Sequence, residues 1–298
     1  NAPIKRLFRK KGEKTLFFNL DIEADKDYFV SQNSLLKKIN LEIGKSKGYI
    51  FIDEIQRKEN AGLFLKGLYD SNLPYKFIVS GSGSLELKEK IHESLVGRKM
   101  VFELNPVSFL EFVNFKTDYK YEDKLFDFFD LEQNKTKQLL LEYLMFGGYP
   151  RIVTEDIKTE KNRLMDEIFS SYLIKDISYL LKVEKTDSFA SLIKLLANQS
   201  GELVNFSKLS SALGVSIQTV KKYLWYAEKT FVIKMITPYF HNKKKEIVKS
   251  PSVYFYDLGL RNYAVGDFGN ERIIERNGFI FQNFILNCLK EKLLFSGK

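Results

Sequence analysis

The sequence predicts an α/β protein: a parallel sheet with helices on its faces, then a helical stretch, then a helix-turn-helix with a strand pair. Three observations carry this expectation. Short apolar runs of strand length alternate with amphipathic helical segments up to about residue 104, as in a parallel sheet. From Phe109 onward the apolar period turns helical. Finally, Phe206–Leu213 and Ile217–Lys229 read as two helices joined by the tight turn Gly214-Val215-Ser216.

The elements follow in order. Ala2–Lys11 carries Ile4, Leu7 and Phe8 at helical spacing, and Gly12 ends it. Lys14–Leu20 reads as a strand with Asp21 at its end, and Leu35–Ile43 as a short amphipathic helix closed by Gly44. Tyr49-Ile50-Phe51-Ile52 is the central strand, because four large apolar residues without a polar break suit burial on both faces. Leu63, Leu65 and Leu68 belong to the next helix, and Lys76–Ser80 is another buried strand leading into Gly81-Ser82-Gly83-Ser84. A helix over Leu85–Val96 and a strand over Met100–Leu104 complete the sheet region. Leu139, Leu140, Tyr143 and Leu144 form one helical stripe, which stops at the breaker Gly147-Gly148-Tyr149-Pro150. A second stripe runs from Leu164 to Leu180. Both stripes read as core.

Composition narrows the function. The chain has 298 residues and a formal charge of +9, enough length for two or more domains and a balance that suits a polyanionic partner or reflects genomic base bias. No run of eighteen apolar residues and no signal peptide is visible, so neither a membrane span nor a membrane partner is expected. A single cysteine, Cys288, leaves no intramolecular disulfide and no cysteine-based zinc site. His92 and His241 are the only histidines, and a reducing cytoplasm fits.

The central strand ends in Asp53-Glu54, where open α/β sheets bind their ligands. This is the pattern of a Walker B segment. There Asp53 would hold Mg²⁺ mostly through water, and Glu54 would orient and polarise a water for attack on a γ-phosphate. A second reading stays open beside it, in which the two acids complement the dipole of a following helix.

The helix-turn-helix carries the other candidate site. Ser216 is the expected N-cap of its second helix. Leu209, Leu213, Val220 and Leu224 would pack the pair, leaving Gln218, Thr219, Lys221 and Lys222 outward for bases and phosphates. Strands over Phe231–Ile236 and Val253–Tyr256 flank a basic tip with Lys243, Lys244 and Lys245, which makes a winged helix. Between Gly201 and Ser250, nine lysines stand against three glutamates, which favours a phosphate-facing surface. The alternative is a winged helix used for protein contacts or as a rigid spacer.

Taken in order, these motifs resemble a large prokaryotic group of AAA-type P-loop ATPases that carry a winged helix and a C-terminal, often restriction-endonuclease-like, domain of unknown function. The resemblance rests on Tyr49–Glu54, Ser80-Gly81-Ser82, Ser94-Leu95-Val96-Gly97-Arg98 and Asn105–Phe112. It continues through Gly147–Pro150, Thr219–Leu224, Lys249-Ser250-Pro251 and Tyr254–Arg261, over nearly the whole chain. It implies ATP and Mg²⁺ as ligands, Asp53 and Glu54 as Walker B acids, and Ser80 or Ser82 as γ-phosphate sensor. Arg98 would contact phosphate in cis or reach a neighbouring subunit of a homo-oligomer as an arginine finger, unless it forms a salt bridge at a helix end.

The chain departs from that pattern twice. The Gly-x-x-x-x-Gly-Lys-Ser/Thr loop has no counterpart, and Gln282 stands where the group usually has Glu. The expectation is therefore an interior segment of a longer protein, binding ATP weakly or not at all by itself. Its expected parts are an incomplete nucleotide-binding core (1–116), a helical lid (117–199), a winged helix (200–265) and the start of a C-terminal domain (266–298). Two rival functions remain open: a non-hydrolysing DNA-binding or adaptor protein, and a degenerate ATPase remnant.

Overall fold

The computed structural model describes residues 12–81, 95–171, 185–239, 249–273 and 278–295. It divides the chain into two units, Asn1–Phe102 and Glu103–Lys298.

The first unit is a parallel three-stranded sheet in the order β1 (Thr15–Asn19), β2 (Gly48–Asp53), β3 (Tyr75–Val79). The helix α1 (Gln32–Ile43) links the first two strands, and α2 (Ala61–Asp70) the second two. Register sets Asn19 beside Asp53 and Ile52 beside Val79, so the strand ends line up along one edge. Ser31 caps α1 by accepting the Ser34 N–H at 3.1 Å, and Gly44, at φ 72°, ends it. Leu35, Ile39 and Ile43 recur every four residues on the buried face of α1 and pack with Phe18, Ile50, Ile52 and Leu68. On the opposite sheet face Phe17 and Phe51 stack at 4.2 Å. The central strand is thus buried on both faces, as its apolar run predicted. Each such side chain contributes roughly 1.5–3 kcal/mol by burial.

One expectation needs correcting. Met100–Leu104 is not a strand: Met100, Phe102 and Leu104 are exposed, and no described strand pairs with them. The alternating sequence has strand propensity, but a strand exists only with a neighbour for its N–H and C=O groups. Residues 103–116 belong to the second unit, because Phe112 and Val113 of α3 (Phe109–Lys116) pack on Leu125, Phe128, Leu139 and Val153. A capping box between Ser108 and Glu111 starts that helix. The expected helices over Ala2–Lys11 and Leu85–Val96 and the stripe beyond Phe169 lie largely outside the described residues.

The second unit continues with α4 (Leu125–Leu131), α5 (Gln133–Phe146), the turn of helix Pro150–Val153 and α6 (Lys158–Glu167). Then come α7 (Thr186–Asn198), α8 (Phe206–Leu213), α9 (Ile217–Lys229) and the antiparallel pair β4 (Ile233–Ile236) and β5 (Ser252–Phe255). The short α10 (Leu258–Ala264) and the long α11 (Gly278–Phe295) close it.

Two buried polar clamps hold these pieces. Asp257 accepts from Gly148 N–H at 2.7 Å and from Leu260 N–H at 2.8 Å, tying the end of α5 to the start of α10. Next to it Asn262 donates to the Leu144 and Met145 carbonyls, and Arg261 to that of Ala197. These contacts leave no room for a Cβ at Gly148 or Gly259, which would run into the carbonyls of Val107 and Phe146. The second clamp is Asn283 of α11. Its amide donates to Phe255 O and accepts from Phe255 N–H, both at 2.8 Å. Along the same flank of β5, Gly201 N–H reaches Val253 O and Val204 N–H reaches Pro251 O.

Candidate functional site

At the C-terminal end of β2 the ladder departs from regularity. Ser80 N–H donates to Ile52 O at 2.8 Å, and Ser80 O accepts from Ile55 N–H at 3.2 Å. A regular parallel ladder would have used the N–H of residue 54, so Glu54 is one extra residue, a bulge in the strand end. It takes up the left-handed conformation (φ 57°, ψ 39°) that this requires. For a residue with a Cβ that conformation costs about 1–3 kcal/mol, and such strain concentrates where chemistry is done.

The side chains around the bulge form a compact polar group. Ser80 Oγ donates to Asp53 Oδ1 at 2.5 Å, joining the ends of β2 and β3. Gln56 Nε2 donates to Glu54 Oε2 at 2.5 Å. On the β1 side Asp21 pairs with Arg57 at 2.9 Å, Asp25 accepts the Asn19 N–H, and Asn19 accepts that of Asp21. Partial burial pushes the Glu54 carboxyl above its ordinary range. Asp21 and Asp53 add to this by charge repulsion, while the Gln56 hydrogen bond and Arg57 pull the other way. A carboxylate raised toward neutrality is better suited to take a proton from water than an ordinary surface Glu.

The donor set fits Mg²⁺ in kind: a carboxylate and a hydroxyl at a sheet edge are hard oxygen ligands. Among the described residues no three His, Cys, Asp or Glu come together as a metal cage. An ion on Asp53 would therefore complete its shell with water and nucleotide oxygens, as Mg²⁺ ordinarily does.

Arg98 is held elsewhere. Its Nε pairs with Asp70 Oδ1 at 2.9 Å. Asp70 is the last residue of α2, the helix that returns the chain from the C-terminal sheet edge to the start of β3. A salt bridge is one of the roles the sequence leaves open for Arg98, beside a phosphate contact, and the structure does not bring it to Asp53 and Glu54. Ser82 lies outside the described residues.

The second candidate surface is the exposed face of α9. Both helices of the pair begin and end where the sequence placed them, and Ser216 Oγ accepts the Thr219 N–H at 3.0 Å as the N-cap. Leu209, Val220 and Leu224 are buried between the helices. Gln218, Lys221 and Lys222 are exposed and Thr219 half-buried. Together with Ser216 and Trp225 they line an open groove of about 610 Å³. A neighbouring groove shares Ser216 and Thr219 and adds Lys185, Ser210 and Ser211. Lys243, Lys244 and Lys245 fall outside the described residues.

Sequence reasoning missed Gln56, Asp21 and Trp225. Gln56 and Asp21 could have been suspected from their nearness to the Asp-Glu pair and the end of β1. Trp225 carried a usable signal: it follows Lys221 and Lys222 by one helical turn.

No described helix is long and apolar enough to cross a membrane. No solved structure matches the chain. It is similar to an uncharacterized protein of Haemophilus influenzae, 29% identical over 230 residues, covering 76% of this chain and 54% of that one. It is also similar to the uncharacterized proteins MJ1544 of Methanocaldococcus jannaschii (24% identical; 89% and 59% covered) and Rv2008c of Mycobacterium tuberculosis (25%; 94% and 60%). The chain thus spans 54%, 59% and 60% of the length of these relatives. Residues 137–271 match a domain of unknown function (DUF8612). Residues 3–113, which contain β1 to β3 and the Asp53-Glu54 edge, match the AAA domain, in support of an AAA-type, P-loop ATPase-like family.

Proposed function

We propose that the complete protein is an AAA-type ATPase whose second unit carries a winged helix that contacts duplex DNA. The observation that carries the first half is the bulge at Glu54 beside the Ser80–Asp53 pair, at the sheet edge where α/β proteins bind ligands. In this reading Asp53 holds Mg²⁺ through water, and Ser80, with Ser82, senses the γ-phosphate. Glu54 orients the attacking water and takes its proton, with Gln56 fixing one carboxylate oxygen. Bound Mg²⁺ would neutralise charge on the phosphate oxygens. Arg98 acts from one subunit on the nucleotide of a neighbour in a homo-oligomer.

Phosphate release by the full-length protein tests this. Glu54→Gln should leave ATP affinity intact and lower turnover by about two orders of magnitude, the scale of a positioned base. Unchanged turnover would make Glu54 structural, whereas absence of phosphate release by the unaltered protein would leave the nucleotide domain a scaffold for an adaptor.

The DNA half is favoured by the exposed Gln218, Lys221 and Lys222 on α9 and by the lysine excess around it. Its test is anisotropy of labelled duplex with the full chain at two salt concentrations. Replacing Lys243, Lys244 and Lys245 with Ala should lower the log–log salt slope by roughly 0.9 for each phosphate no longer neutralised, for all sequences alike. Changing Gln218 should relax sequence preference and leave the slope unchanged. Absence of salt-dependent binding would make α9 a protein-contact surface.

A further inference from the structure

The charged residues do not account for the whole of the α9 groove. Trp225, the chain's single tryptophan, is half-exposed on the same face as Lys221 and Lys222. Its neighbours Tyr223, Leu224 and Tyr226 are buried. The indole leans on Tyr226, centroids 5.6 Å apart and planes 45° apart. Lys221 Nζ lies 5.4 Å from the Phe206 ring centre and Lys222 Nζ 5.6 Å from that of Tyr226. Neither lysine makes an ion pair among the described residues. Among the described residues the face thus offers two cations without an ion-pair partner, an aromatic plate and an indole N–H. A plate of this kind gives contact area at low entropic cost.

Distance along the helix separates the roles. At 1.5 Å per residue, Trp225 stands about 10 Å from Gln218. The major groove is about 12 Å wide. When the N-terminal turn of α9 reaches base edges, a residue that far along the axis meets the groove wall.

We propose that Trp225 is a sugar–phosphate contact, its Nε1–H donating to a phosphate oxygen and its ring lying against a deoxyribose of duplex DNA. This rests on the DNA-binding reading above. The indole is a donor only and carries no charge, so it orients α9 on the duplex without displacing a counterion and without reading a base.

The full chain, titrated with labelled duplexes of several sequences, decides it by two signals. Anisotropy reports binding, and the emission of the sole tryptophan reports on this face. The expected result is an emission change that saturates together with anisotropy. Trp225→Phe, which keeps an aromatic ring and removes the N–H, should bind every duplex about three- to tenfold more weakly with the salt slope unchanged. Circular dichroism confirms that the variant is folded. Binding with unaltered tryptophan emission, or a Phe variant of undiminished affinity, overturns the assignment. So does a weakening that varies with sequence or with the salt slope. Absence of salt-dependent anisotropy for the unaltered chain overturns the DNA reading itself, and Trp225 with it.

Discussion

The carbonyl of Ser80 passes over the N–H of Glu54 and accepts from Ile55 instead. That one skipped bond sets the geometry of the candidate catalytic acid, because it forces Glu54 into a conformation that glycine adopts freely and glutamate does not.

Glu54→Gly should therefore stabilise the first unit by about 1 kcal/mol while abolishing turnover in the full-length protein. Chemical denaturation and phosphate release measure the two effects. A Gly variant no more stable than the original would mean that the bulge carries no strain.

Arg98 and Asp70 form an exposed pair, the kind worth about 0–1 kcal/mol. Asp70→Asn and Arg98→Ala should then cost little stability and roughly the same. Hydrolysis should separate them: Arg98→Ala abolishes it with ATP affinity intact, and Asp70→Asn retains it. Mixing Arg98→Ala subunits with Asp53→Asn subunits should restore some activity, since each supplies what the other lacks. Equal activity in the two single variants would leave Arg98 a structural partner of Asp70.

Gly259→Ala should destabilise the second unit by about 3 kcal/mol or more, because the added methyl meets the Phe146 backbone, which cannot move aside as a side chain would. Gly214→Ala makes the control. It sits at φ 62° in open space and should cost only about 1 kcal/mol. Similar destabilisation at both sites would refute the tight approach of α10 to α5.

Asp257 is buried, and burial pushes its carboxyl from 3.8 up to about 6 against the pull of the backbone N–H donors around it. The protonated form is thus favoured in the folded state. Its contribution to stability is complete below about pH 3.8 and is lost as pH rises through 6. Asp257→Asn cannot titrate. The difference in unfolding free energy between the two proteins should shift by up to about 3 kcal/mol between pH 4 and 7, the original losing ground. Parallel curves would show that the donors hold the carboxylate ionised.

Much of this was legible in the sequence because the signals are local. The run Tyr49–Ile52 needed only its own residues to be a buried strand. Ser216 needed only the helix it caps. The bulge at Glu54 was not legible, since it is defined by which N–H a neighbouring strand selects. Asp257 and Gly148 lie 109 positions apart, and nothing in either segment names the other. Met100–Leu104 shows the opposite failure. Its pattern is a strand's, yet a partner is what makes a strand, and pattern alone does not supply one.

To β5, the amide of Asn283 is a neighbouring strand one residue long. It offers Phe255 the donor and acceptor that another chain would bring, while residues 201–204 occupy the rest of that flank. A bare flank on a two-stranded sheet invites strand addition by a second molecule. Asn283, with Asn287 also donating to the Phe255 carbonyl, lets α11 fill the flank where such addition would begin, and a variant without the Asn283 side chain should aggregate at a lower concentration than the original.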